Sequence, residues 1–202
     1  MTTCTQASYV GTEVVIQCGG KMTCCEREQS KAKVEAYNNE IAASDLPGPL
    51  QIAGPGDAVG LEGVKAAAQK RATRRLRKDM KGKSPADQKT VAKAHGASDC
   101  FADEMVDNNA KFEMDHPVDA KWGGEAVIDA FIPLSPAVNN LFGQITQKIG
   151  DQMHGRGQVE ITAVVFDCPG PCAPSPPPSQ DYSTGTLSQS GPLCPGMTST
   201  QL

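Results

Sequence analysis

Phe112-Glu113-Met114-Asp115-His116-Pro117-Val118-Asp119-Ala120-Lys121-Trp122-Gly123-Gly124 holds an Asp-His pair, a second Asp three residues after the His, the single tryptophan and a Gly-Gly turn. Core building rarely calls for that mixture. Lys111 to Met114 reads as a short strand leading into the Asp-His pair. Pro117 suits the first turn of a helix that begins near His116. Such a turn would place His116 and Asp119, three apart, on one face, with Asp115 pointing elsewhere. The plain alternative is a loop whose Asp caps a helix and whose histidine is solvated. Trp122 reads as a packing anchor, and Lys121 as a phosphate contact or a solvated charge.

Downstream, Pro133 to Pro136 reads as a turn. A helix follows from Pro136 through Asn139, Leu141, Ile145 and Ile149, with Gly150 interrupting it. Gln158 to Asp167 has the clearest strand pattern in the chain. Upstream, Asp99–Asn108 reads as a short helix. Ser84-Pro85-Ala86-Asp87 is a helix start, with Ser at the N-cap and Pro at the first helical position. Leu61–Met80 reads as another helix. Residues 46–60 are rich in Pro and Gly and read as a linker or lid loop. Thr23-Cys24-Cys25-Glu26 has capping-box form and opens a helix over Cys24–Ala43, with Val34, Tyr37 and Ile41 on one face. Residues 10–18 read as a strand. The expected class is α+β, mainly α-helical with short strands. The expected organisation is an N-terminal strand-helix segment for docking (1–46), a linker (47–60), a catalytic domain (61–168) and a Pro/Ser-rich tail (169–202).

Apolar residues make up 39 % of the 202 and aromatics only 4 %, so the core must be built mainly from Ala, Val, Ile and Leu. No run approaches the roughly 20 apolar residues of a membrane span. The start, Met1-Thr2-Thr3-Cys4-Thr5, lacks the pattern of a secretory signal. Export would therefore be expected through a signal-peptide-independent machine. The eight cysteines (4, 18, 24, 25, 100, 168, 172 and 194) are even in number but irregular in spacing. Disulfides, free thiols and structural zinc all stay open.

Net charge is −4, which speaks against a nonspecific nucleic-acid coat. The distribution is lopsided, however. Nine of the nineteen Lys and Arg lie between Lys65 and Lys83, with Asp79 the only acid among them. Such a run is usually a solvated helix face, yet its self-repulsion is best tolerated opposite a polyanion. Lys70, Arg71, Arg74, Arg75, Arg77 and Lys78, with Lys121, are the candidate nucleic-acid contacts. An acidic inhibitor protein is the alternative partner.

Phosphodiester hydrolysis calls for a base that activates water, a cation that neutralises the phosphate and a stabilised leaving oxygen. His116, titrating near neutrality, is the candidate base. Asp119 is its catalytic partner, and Asp115 and Asp119 are candidate ligands of a divalent cation such as Mg²⁺. Asn139 and Asn140, an unfavourable pair inside a helix, are candidates for binding metal or fixing the His116 ring. His154 is a possible last ligand. His95, near a helix end, reads as structural.

His116-Pro117-Val118-Asp119 resembles the HxxD signature of a polymorphic-toxin nuclease family that includes DNase effectors of type VI secretion. Met114-Asp115-His116, Trp122-Gly123-Gly124, Phe131-Ile132-Pro133-Leu134 and Val138-Asn139-Asn140 extend the likeness over roughly residues 60 to 168. The same string is similar in outline to HNH nucleases. There an Asp-His pair ends a strand, and an Asn and a final His follow on a helix. That resemblance implies an HNH-like ββα-metal core as one form of the fold. It also implies a secreted toxin that degrades DNA in the cytoplasm of a rival bacterium. Its partners would be a cognate immunity protein and a secretion-apparatus loading protein or chaperone. An RNase of the same class and a non-enzymatic secretion-associated module are the rival expectations.

Overall fold

Thr23 and Glu26 start the first helix reciprocally: the Thr23 amide donates to Glu26 Oε2 at 2.8 Å, and the Glu26 amide to Thr23 Oγ1 at 3.1 Å. This is the capping box expected from the sequence, and helix α1 runs Cys24–Ala43 behind it. In the computed structural model the described residues are 6–10, 12–17, 22–43, 50–51, 61–116, 118–119, 122, 131–155, 157 and 160–168. Before α1 come strands β1 (Gln6–Val10) and β2 (Glu13–Gln17). After it come β3 (Leu50–Gln51), α2 (Leu61–Met80), α3 (Pro85–Ala94) and α4 (Asp99–Asp107). The chain continues with β4 (Glu113–Asp115), β5 (Ile132–Leu134), α5 (Pro136–Gly155), β6 (Glu160–Ile161) and β7 (Ala163–Asp167). The class is α+β and mainly helical, as the sequence indicated. No helix among the described residues is long and apolar enough to cross a membrane.

β1 and β2 pair antiparallel, and β2 pairs parallel with β7, from Glu13 opposite Ala163 to Gln17 opposite Asp167. Val14 and Ile16 alternate inward on β2 and are fully buried. Asn38 of α1 stitches the helix to β7: its amide donates to the Val164 carbonyl at 2.8 Å and accepts from the Val164 N–H at 3.0 Å. Residues 1–46 therefore contribute β2 and α1 to the core that Trp122, α5 and β7 also form. The boundary expected at residue 46 does not separate the packing there.

A second apolar cluster joins α2, α3 and α4, with Ala68, Ala72, Leu76, Ala92, Phe101 and Met105 at its centre. The small residues let these helices approach closely in a chain poor in aromatics. Ser84 caps α3 and Ser98 caps α4. His95 at the end of α3 meets Asp79 Oδ2 of α2 at 3.1 Å, a structural contact. Gly96 then takes φ +88°, and a Cβ there would stand 2.6 Å from Ile132 Cγ2, so only glycine lets β5 sit against this turn. Cys25 of α1 is disulfide-bonded to Cys100 of α4 and ties α1 into this second cluster. Cys24 and Cys168 are disulfide-bonded as well, so among the described cysteines neither zinc nor free thiols hold.

β4 lies between the clusters and pairs antiparallel with β5, Glu113 opposite Leu134 and Asp115 opposite Ile132. Two expectations change here. Pro133 and Leu134, read as the start of a turn, instead belong to β5. α5 also continues through Gly150 to Gly155, because Ile145, Ile149, Gly150 and Met153 are all buried along one face.

Candidate functional site

The site lies where α1, β4 and α5 converge. Gln29 of α1 accepts the Ser135 amide at 2.7 Å, and Ser135 Oγ accepts the Val138 amide at 3.3 Å, which fixes the start of α5. Gln69 of α2 donates to the Met114 carbonyl at 2.8 Å and holds β4 from the other side. β4 thereby delivers Asp115 and His116 to a defined place.

Lys33 of α1 points into that place with its side chain wholly buried. Its Nζ stands 2.6 Å from Asp115 Oδ2 and 3.2 Å from Asp119 Oδ2, and donates to the His116 carbonyl. One helical turn on, Tyr37 donates its hydroxyl to Asp119 Oδ2 at 2.5 Å. The Tyr37 ring packs against Trp122, whose indole N–H donates to the Thr146 carbonyl at 3.1 Å. Trp122 is thus the packing anchor expected of it. Asp119 is positioned by the turn whose carbonyl accepts the Trp122 amide at 2.8 Å.

Burial by itself would lower the Lys33 pKa, but Asp119 and Asp115 outweigh it and hold the ammonium above its ordinary 10.5. Burial, then the Asp119 charge, pushes the Tyr37 phenol well above its ordinary 10.0. Both groups bind their protons more tightly in the folded chain than in the unfolded one. Their stabilisation is therefore complete below about pH 10 and falls as pH rises beyond it, by up to about 3 kcal/mol per pH unit for two protons. Urea unfolding at stepped pH between 9 and 11.5 should show this slope, and Tyr37→Phe should roughly halve it.

Asp115 and Asp119 also line a cleft of about 460 Å³, walled by Asn139, Asn140, Gln144 and Gln147 of α5 and by Gln69, with Lys148 the cation at its edge. Asn139 donates to Glu113 Oε2 at 2.5 Å across the rim. Asp115, Asp119, Asn139 and Asn140 thus face one space. They form an oxygen donor set of two carboxylates and two amides, which suits a hard cation such as Mg²⁺ that keeps several of its waters. Lys33, Asp115 and Asp119 together carry a charge of −1, so attraction for a divalent ion remains. Among the described residues no group of three or more His, Cys, Asp and Glu converges as a metal site. Any ion here would rest on the two carboxylates and the amides.

Other expected residues fall elsewhere. Among the described residues β4 ends at Asp115, His116 belongs to no helix or strand, and the chain bends at Val118. The His116 ring is 1 % exposed, 4.2 Å from the Phe131 ring, and is not part of the cleft wall. Its Nδ1 is 3.9 Å from Asp115 Oδ1. His154 lies fifteen residues beyond Asn139 on one continuous helix, about 22 Å along the axis. It cannot share an ion with Asn139 or Asn140, and the reason is the unbroken passage of α5 through Gly150. Of the basic cluster, Lys70, Arg74 and Arg77 line a groove that adjoins the cleft, whereas Arg71, Arg75 and Lys78 follow a different stripe of α2. Lys121 lies outside the described residues.

Sequence reasoning missed Lys33, Tyr37, Gln69 and Glu113 as members of the site. The available signal was weak. α1 has no clean apolar stripe, yet Gln29, Ser30 and Lys33 are all at most 1 % exposed. A long helix without a distinct apolar face, lying in a packed protein, is one whose polar residues are to be suspected of burial. Comparison with known protein families, with curated proteins and with solved structures finds no match for this chain.

Proposed function

We propose that this chain is an antibacterial toxin: a metal-dependent endonuclease that degrades DNA in a target cell and is restrained at home by an immunity protein. The observation that carries this reading is the continuity of two spaces. The cleft floored by Asp115 and Asp119 shares Gln69 and Asn139 with the groove bordered by Lys70, Arg74 and Arg77. A carboxylate pair reached along a cationic groove is what hydrolysis of a polyanion requires.

In this reading Asp115 and Asp119 would hold a divalent cation, and Asn139 and Asn140 would complete the rim. Such an ion, when bound, supplies charge neutralisation at the scissile phosphate and acidifies water. Lys33 and Tyr37 fix the two carboxylates from behind and never face solvent. Lys148 meets the phosphate at the cleft edge. His116 is the proposed base on the strength of the motif, with its ring packed on Phe131 beside Asp115. Secretion would be through a loading protein or chaperone.

The test is incubation of the purified protein with supercoiled plasmid and, separately, with total RNA, each with Mg²⁺ or with a chelator. Plasmid should be cut only with Mg²⁺, and His116→Ala should be inactive. Activity that survives in His116→Ala removes that residue as base. RNA loss with intact plasmid moves the substrate to RNA, and an inert wild-type protein overturns the reading.

A further inference from the structure

The groove beside the cleft holds more than charge. Lys70, Arg74, Arg77 and Lys81 recur at intervals of four, three and four residues. That spacing makes one stripe about 16 Å long on and just beyond α2. The stripe borders two adjoining hollows of about 520 and 810 Å³, which share Arg77, Phe112 and Glu113. Lys111 adds a fifth cation, and among the described residues Glu113 is the only acid lining either hollow. At the junction the half-buried Phe112 lies under the Arg77 guanidinium, 5.7 Å from Cζ to the ring centroid. Phe112 is three residues before Asp115, about 10 Å along an extended chain.

A cationic track with an aromatic platform in its middle has two complementary parts. The cations take phosphates, and Phe112, with the Arg77 guanidinium over its ring, offers an aromatic and guanidinium surface on which a base can stack. In a duplex the base faces are covered by their neighbours, so only an unpaired base can lie on such a platform without first being unstacked. We infer that the groove along Lys70–Lys81, with Phe112 and Arg77 as its platform, binds single-stranded DNA and presents it to the carboxylate cleft. This deepens the nuclease reading and rests on it for its purpose, but not for its measurement.

The experiment is fluorescence anisotropy of a labelled oligothymidylate and of a duplex of equal length with the full-length protein in chelator, where no cleavage intervenes. The single strand should bind at least about 10-fold more tightly. Phe112→Leu, which keeps apolar bulk, should weaken it about 5- to 150-fold and leave the duplex unchanged. Arg74→Ala should reduce the salt slope of single-strand binding by about 0.7. Should Phe112→Leu melt early, Arg77→Lys serves instead: it keeps the charge but not the planar stack, and should weaken the single strand at unchanged salt slope. Equal affinity for strand and duplex overturns the inference, as does a platform variant with unaltered binding. Oligothymidylate binding by a protein that cuts nothing would overturn the nuclease reading alone.

Discussion

Lys33→Met is expected to lower the unfolding free energy by about 3–5 kcal/mol at pH 7, because it leaves two buried carboxylates without their cation. Methionine matches the lysine stem in length, so little of the loss comes from a cavity. The loss arises at Asp115 and Asp119, 2 % and 5 % exposed, which both face the same ammonium. Urea unfolding followed by far-UV circular dichroism measures it. A shift under about 1 kcal/mol would mean that water reaches the cluster. The triple change Lys33→Met, Asp115→Leu, Asp119→Leu gives the contrast. Replacing a whole buried ion cluster with apolar residues is commonly neutral or stabilising, so this variant should unfold later than the single one. A charge cluster that stability does not require is better explained by work done at the cleft it borders.

Asp119→Asn should leave the fold in place and reduce plasmid cleavage more than about 100-fold. Partners that merely orient metal ligands are worth 10- to 100-fold, and a ligand itself exceeds them. Asparagine keeps the volume and still accepts the Tyr37 hydroxyl. It removes the charge, taking the cluster from −1 to zero and with it the attraction for a divalent ion. Gel assays across a Mg²⁺ series measure this. Cleavage within about 3-fold of wild type would take Asp119 out of the chemistry. Recovery at high Mg²⁺ would instead place the whole defect in ion affinity.

Local signals were legible in the sequence where a few neighbouring residues decide the outcome. The Thr23–Glu26 capping box, Ser84-Pro85 and the span of α2 all stand where composition placed them. Gly150 misled because helix propensity is a weak prior, and the buried face of α5 overrides it. The site was half legible. Asp115, Asp119, Asn139 and Asn140 meet at one cleft, and all are visible within the motif and the helix after it. Lys33 and Tyr37 were not visible, since each lies 82 residues from its carboxylate partner and no local pattern encodes such a contact. The burial of His116 escaped for the same reason: Phe131 comes fifteen residues later in the sequence.

The parallel pairing of β2 with β7 joins positions 150 residues apart in sequence. Contacts of such span give slow folding, because loop-closure entropy is lost before they form. The helix that brings Lys33 to the carboxylates is docked on β7, nearly the last described segment to leave a ribosome. A chain still being made, or one threaded through a narrow channel, therefore has its motif residues but not their arrangement. The arrangement comes into being only when both ends of the chain are free to meet.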